Sequence, residues 1–253
     1  MAQVCRQNDV IVISDEIYAL TAFDPGRFVS MAAVYPEGTI VTGGLSKDRS
    51  SGGYRFGVSI MPVDAEALTE NILKVAGSTF SCVAAPIQYA AIEAYAGNGK
   101  VERHIRDSAK VNGMVAREMA SLLSEIPSVK FTSPDGGFYF YLDFNEYRDE
   151  FFKLGIDRCD KFCEHLLEVE HIAMLPASAL LLPEDDFSVR CSFVDFDGGR
   201  VLRAWRRKNL NTPEKQSCFV RKHCPLVVDG VKYLKRYLEQ VREGKRPIHF
   251  MTM

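Results

Sequence analysis

Two short runs near the start of the chain, "DVIVIS" (9–14) and "GTIVTGG" (38–44), are apolar, β-branched and free of alternation. Runs of this kind form strands buried on both faces, and such strands occur mainly in α/β sheets covered by helices. A third run, "RFGVSIMP" (55–62), is closed by Pro62. Between the first two, Asp24, Pro25 and Gly26 stand in turn positions. From Asp64 the pattern becomes helical, "DAEALTENILKVAG", with Asp64 as N-cap and Gly77 as stop. "PIQYAAIEAYAG" is a further helix, with Pro86 in its first turn and Gly97 past its end. The polar N-terminus, "MAQVCRQNDV", reads as the end of a helix.

A long helix is expected over 100–125, with Val101, Ile105, Val115, Met119 and Leu122 near one face. The character then changes. "VKFTSPDGGFYFYLDF" reads as strand, turn, strand, and Gly136-Gly137 is most simply a hairpin turn. A helix near 158–170 precedes "IAMLPASAL" and "FSVRCSFVDF". A last helix at about 226–243 carries Val227, Val231, Leu234, Leu238 and Val241 on one stripe, and Trp205 suits helix packing. The fold class is therefore α/β over 1–99 and α+β over 126–253, with the helix at 100–125 connecting the two.

At 253 residues, 47% hydrophobic and 25% charged, the chain has material for a sizeable core. A net charge of −2 gives no reason to expect nucleic acid or an anionic membrane as partner. Arg200, Arg203, Arg206, Arg207 and Lys208 read as a solvated helix face. Seven cysteines, an odd number with no Cys-x-x-Cys, fit the reduced thiols of a cytoplasmic protein. Cys159, Cys163 and His165 could suggest a metal, but buried free thiols are the ordinary case, so none is expected. His104, His165, His171, His223 and His249 show no paired acid or metal spacing. No signal peptide and no membrane-spanning run is evident.

Ligands of open α/β sheets sit beyond the carboxyl ends of strands, and Asp15 and Lys47 both lie just past such ends. In "GGLSKDRSSGGYRFG" (43–57), Lys47 stands among small residues with Arg55 eight positions on. One reading is phosphate binding by both charges. That reading prefers Gly-x-x-x-x-Gly-Lys-Ser/Thr, which "TGGLSKD" does not match. The other is a lysine forming a Schiff base with a phosphorylated aldehyde while the arginine holds the phosphate. It also employs Asp15, since pyridoxal phosphate needs a carboxylate beside its ring nitrogen, and Tyr18 could bond the ring's phenolic oxygen. Singly, each residue has a plainer reading. Asp15 suits a loop carboxylate, Lys47 a surface lysine, Tyr18 packing, and Arg190 an outward position on an edge strand.

Jointly, the order Asp-x-x-Tyr, Ser-Lys, Arg-x-Gly in "SDEIY" and "GLSKDRSSGGYRFG" resembles the class I/II aminotransferases, fold-type I pyridoxal-phosphate enzymes. "PIQYAA", "GGFYFYLDF" and "VRCSFVDFDG" continue the resemblance along essentially the whole chain. The resemblance implies the C-terminal half of the large cofactor domain followed by the α+β small domain. It implies transamination between an amino acid and a 2-oxo acid, and a homodimer for the full-length enzyme. Lys47 would hold pyridoxal phosphate and shuttle the proton at substrate Cα. Asp15 would pair with the ring nitrogen, Tyr18 with the phenolic oxygen, Arg55 with the phosphate, and Arg190 with the substrate carboxylate. Two departures stand out. The position three before the lysine is commonly Ser or Thr in the family but is Gly44 here, leaving Ser46 as substitute. The chain is also shorter than the family's roughly four hundred residues. It resembles a chain beginning in the helix just before the Asp strand, without the upstream glycine/serine phosphate turn, the stacking aromatic and the asparagine. "SDEIY…SKD" is similar as well to the plant ethylene-precursor synthase group, so a lyase of the same superfamily is the alternative. A non-catalytic truncated remnant is a further one.

Overall fold

In the computed structural model, which describes residues 1–245, the first two apolar runs become neighbouring parallel strands. After a short helix α1 (Ala2–Gln7), β1 (Val12–Asp15) pairs with β2 (Thr39–Gly44), Val12 opposite Thr39 and Asp15 opposite Thr42. The third run gives β3 (Gly57–Ile60), antiparallel to β2, with Gly44 opposite Gly57. The connection from β1 to β2 is made of short 3-10 turns rather than a helix. Side chains close those turns locally: Asp24 accepts from the Gly26 N–H at 3.1 Å, and Ser30 from the Ala32 N–H at 3.2 Å. The expectation that these strands are buried on both faces holds only for part of the central one, where Thr39 and Ile40 are buried. Ile13 is 71% exposed and Ile60 63%. β1 and β3 are the outer strands, each with a single hydrogen-bonded neighbour among the described residues.

Two helices follow, α2 (Glu66–Thr79) and α3 (Ala85–Tyr95). Asp64 does not cap α2, whose N-cap is Ala65 with no side-chain bond, and the helix runs through Gly77. One glycine costs a helix about 1 kcal/mol, which is a penalty and not a stop. The last turn gains partners instead, because the Ser78 and Thr79 hydroxyls donate back to the Lys74 and Val75 carbonyls. No residue of α2 is buried. α3 has Pro86 in its first turn, and Gly97 beyond its end takes φ +73°. The long helix is α4 (Gly99–Leu123), burying Ile105, Val115, Met119 and Leu122 as its spacing predicts.

The chain divides into two units, the first comprising 1–110 with Asp135–Gly137, the second the remaining described residues. Unit 1 has a thin core of Tyr35, Ile40, Leu45, Ala91, Ile105 and Ala109. Unit 2 holds β4 (Lys130–Phe131), β5 (Tyr139–Asp143), α5 (Arg148–Lys153), α6 (Cys159–Glu170), β6 (Leu175–Pro176), β7 (Ser188–Ser192), α7 (Gly198–Trp205), α8 (Pro213–His223) and α9 (Pro225–Arg242). Its sheet has the order β4-β5-β7-β6, with every neighbour antiparallel. Alternation sets its faces: Phe140, Leu142, Val189 and Cys191 point inward while Tyr141 and Arg190 point out. Inside, Phe151 packs on Phe162 at 4.7 Å and on Phe187 at 5.1 Å between ring centres. A fully buried side chain of that size contributes about 1.5–3 kcal/mol. On α9, Val231, Leu234, Leu238 and Val241 are buried as expected, whereas Val227 is half-buried and Val228 takes its place. Trp205 is half-buried at the end of α7. His249 lies outside the described residues.

Candidate active site

Parallel pairing in register brings the carboxyl ends of β1 and β2 to one edge of the sheet, where ligands of such sheets sit. Asp15 is the last residue of β1 and is exposed, with Oδ1 accepting from the Ile17 N–H at 3.2 Å. The next carboxylate has a different task. The Glu16 N–H extends the ladder to the Thr42 carbonyl at 2.8 Å. Its side chain accepts from the Ser14 hydroxyl (3.1 Å), the Ser30 hydroxyl (2.8 Å) and the Met31 N–H (3.1 Å). Glu16 thus ties down the chain leaving β1, and Asp15 presents its carboxylate at the edge.

Tyr18 is half-buried in the turn that follows, its carbonyl accepting from the Thr21 N–H at 2.9 Å and the Thr21 hydroxyl at 2.6 Å. That turn is braced by Asp135–Gly137. Gly136 bridges to Ala22, the Phe23 N–H donates to the Asp135 carbonyl at 2.9 Å, and the Gly137 N–H donates to Thr21 Oγ1 at 3.1 Å. A Cβ on Gly136 would stand 2.9 Å from the Ala22 Cα, and Gly137 has φ +67° with its open side against the Tyr18 ring. The two glycines are therefore more than a hairpin turn, because Gly136 allows the close approach to Ala22 and Gly137 the left-handed backbone. The Tyr18 ring centre lies 5.7 Å from Lys47 Nζ.

Lys47 and Ser46 are half-buried in the loop between β2 and β3. The loop doubles back: the Ser51 N–H donates to the Leu45 carbonyl at 3.1 Å, and Gly52 lies beside Ser46. Arg55 is exposed, takes φ +55°, and donates from Nη1 to the Gly52 carbonyl at 3.0 Å. Gly44, where the family resemblance implies a hydroxyl residue, has no room for one. A Cβ there would meet the Phe56 carbonyl oxygen at 2.6 Å.

Three residues that the sequence reading missed hold this loop. Asp48 and Arg49 form an ion pair whose side chains are only 7% and 9% exposed. Burial pushes the Asp48 carboxyl above its ordinary value, with the Arg49 charge pulling the other way. Arg49 Nε donates to the Ala94 carbonyl at 3.0 Å, and its guanidinium lies 4.5 Å from the Tyr95 ring centre. Nothing in "KDRSS" signals this, since a charged pair beside a lysine reads as solvated surface.

Arg190 belongs to unit 2. It is exposed on β7, between Tyr141 of β5 and Leu175 of β6, so it does not lie on an edge strand. Its guanidinium stacks 4.6 Å from the Tyr139 ring centre. The stack fixes the plane of a fork suited to bidentate binding of a carboxylate.

The donor set in unit 1 is a carboxylate, a phenol, a primary amine, a hydroxyl and a guanidinium, and it fits a phosphorylated pyridine aldehyde group for group. Among the described residues no cluster of three His, Cys, Asp or Glu could hold a metal, and no helix is long and apolar enough to cross a membrane.

A family model described as "Aminotransferase class I and II" matches residues 1–195. The aspartate aminotransferase of Bacillus subtilis is 29% identical over 198 residues, 76% of this chain and 47% of its own length. A probable aspartate/prephenate aminotransferase of Aquifex aeolicus is 30% identical over 186 residues, 72% of this chain and 45% of its own. In fold, the chain is similar to the aromatic aminotransferase of Pyrococcus horikoshii, with a TM-score of 0.70 at 23% identity, over 96% of this chain and 54% of that one. The chain spans about half the length of the curated relatives it matches.

Proposed function

The chain belongs to the class I and II aminotransferase family, whose members use pyridoxal phosphate, and from that premise we propose that it carries the cofactor-holding and carboxylate-binding groups of an enzyme transferring the amino group of an amino acid to a 2-oxo acid. The observation that carries the reading is the approach of Lys47 Nζ to the Tyr18 ring, at the edge where two parallel strands end.

Asp15 would pair with the ring nitrogen and keep it protonated, and Tyr18 would donate to the phenolic oxygen. Ser46 and Arg55 would hold the phosphate, and the Lys47 amine would hold the aldehyde carbon. The cofactor supplies the electron sink for negative charge developing at substrate Cα. Lys47 takes and returns the proton at that carbon, a general acid–base role for a positioned amine. Arg190 grips the substrate α-carboxylate through two parallel N–H donors. We also assign the working enzyme to the cytoplasm as a homodimer. Seven unpaired cysteines support the reducing compartment, and the family resemblance supports the dimer.

The test is titration of the purified chain with pyridoxal phosphate, followed by visible absorbance and by turnover with amino acid and 2-oxo acid pairs. Lys47→Ala should abolish both, and Arg190→Ala should mainly raise KM for the carboxylate substrate. Turnover of Lys47→Ala within a few-fold of the parent would refute the role of Lys47. Ammonia or a cyclised product from a single substrate would replace the transaminase reading with a lyase.

A further inference from the structure

We infer that Arg49 and Tyr95 form a clamp that sets the spacing of Lys47 and Arg55, which makes both of them positioning residues for the site. The inference rests on the reading of Lys47 and Arg55 given above. The contacts themselves do not.

Charged side chains are rarely buried unless paired, and a loop could leave both Asp48 and Arg49 in water. Here both are withdrawn from solvent directly after the lysine. Arg49 is fully engaged. It faces the Asp48 carboxylate, donates to the Ala94 carbonyl and covers the Tyr95 ring. Ala94 lies in the last turn of α3, where carbonyls lack intrahelical partners and a cation complements the helix dipole. Arg49 therefore satisfies a carbonyl at the C-terminal end of α3 as well as being part of the lysine loop.

The far end of the loop returns to the same residue. Phe56, immediately after Arg55, packs on Tyr95 with ring centres 6.4 Å apart. Tyr95 is thus touched by the residue two after Lys47 and by the residue one after Arg55. Between them, Ser50 and Arg55 adopt φ +53° and +55°, left-handed values that non-glycine residues avoid unless their surroundings enforce them. The Ser50 hydroxyl, 3.0 Å from His104 Nε2, adds a contact to α4. Asp48 Oδ1 has no hydrogen-bond partner among the described residues, so Arg49 is what compensates that charge. Losing Arg49 would leave an isolated carboxylate in the loop, and the loop would move to solvate it.

A ligand joined to Lys47 and held by Arg55 depends on the spacing of those two residues, and a ligand that does not join to Lys47 depends on it less. Pyridoxal phosphate can engage Lys47 and Arg55 together. Pyridoxamine phosphate has no aldehyde and cannot join to Lys47. In Arg49→Met and Tyr95→Leu, the Lys47-dependent absorbance should need about tenfold more pyridoxal phosphate, while pyridoxamine phosphate affinity stays within about threefold. Tyr95→Phe, which keeps the ring, should match the parent, and Arg49→Lys, which keeps the charge and lets the chain fold, should fall between. Hydrogen exchange of amides 45–56 in the cofactor-free chain supplies an independent readout. It should quicken about tenfold in Arg49→Met and Tyr95→Leu, with β5 and β7 unchanged. Equal losses for the two ligands would make the pair merely structural and overturn the positioning role. Unchanged exchange in the loop would overturn the clamp. A parent chain without any Lys47-dependent band would instead sink the reading of Lys47, and exchange would still judge the clamp.

Discussion

Replacing Gly44 by serine sets two arguments against each other. The family resemblance suggests that a hydroxyl three residues before the lysine supplies a phosphate donor, worth about 0.5–1.5 kcal/mol as one more hydrogen bond. The geometry says that the side chain has nowhere to go. Its Cβ would stand 2.6 Å from the Phe56 carbonyl oxygen and 3.3 Å from both the Gly57 Cα and Ile17 Cδ1. Two of these are backbone atoms of the segment paired with β2, so relief requires β2 and β3 to part by roughly 0.8 Å at the Gly44–Gly57 pair. Overpacking of that kind costs about 1–3 kcal/mol. The cost exceeds the gain, and it falls next to Arg55, whose displacement would weaken the proposed phosphate contact further. Gly44→Ser should therefore lower the thermal midpoint by about 2–4 °C per kcal/mol lost and weaken pyridoxal phosphate binding. Gly44→Ala serves as control, because it carries the Cβ without the hydroxyl and should destabilise equally. Thermal melts and cofactor titration of the three proteins decide the matter. A serine variant that melts within 1 °C of the parent (about 0.3 kcal/mol) and binds pyridoxal phosphate more tightly would refute the steric argument.

Two other predictions concern unit 2. The Tyr237 hydroxyl is buried without a hydrogen-bond partner among the described residues, so Tyr237→Phe should be neutral or stabilising by up to about 2 kcal/mol in urea unfolding; a loss above about 1 kcal/mol would show that the hydroxyl is satisfied. Partial burial pushes the Asp186 carboxyl upward, but bonds from the Ser188 hydroxyl (2.6 Å) and Asn145 Nδ2 (3.1 Å) outweigh it and hold the group below its ordinary 3.8. A depressed carboxyl contributes stability above its unfolded pKa and loses it as pH falls through the folded one, so the deficit of Asp186→Asn should be full at about pH 7 and shrink towards about pH 3. A deficit independent of pH would contradict that assignment.

Local chemistry made much of the fold legible in the sequence. β-branched runs marked β1 to β3, Pro86 and Gly97 bracketed α3, and three–four spacing gave α4 and α9. Exposure was not legible, because Ile13 and Ile60 obey the pattern of a covered strand while lying on the outer strands of a small sheet. α7 was legible only as a basic, solvated helix face, and α8 went unrecognised, for a different reason. Each buries only one or two residues, Val201 in one and Phe219 and Val220 in the other, so basic residues mask their apolar stripe. Their caps were nonetheless readable, Asp197 accepting from the Arg200 N–H and Thr212 preceding Pro213. Within unit 1, Asp15, Tyr18, Lys47 and Arg55 stand in motifs whose residue types share a use in the proposed reading, and Arg190 stands in another motif in unit 2. Arg49 does not, because its meaning depends on a carbonyl 45 residues further along the chain.

The thin core of unit 1 has a thermodynamic consequence for whatever binds there. Asp15, Tyr18, Lys47 and Arg55 sit on β1, the turn after it and the β2–β3 loop, so one ligand touching all four cross-links segments that share little buried apolar surface. A ligand binding only the folded form adds stability by mass action, about 2.7 kcal/mol at a hundredfold excess over Kd. That is comparable to one large buried side chain, in a unit that has few. Ligand concentration then becomes a folding variable for unit 1, and the small molecule acts there as a polar cross-link where apolar burial is scarce.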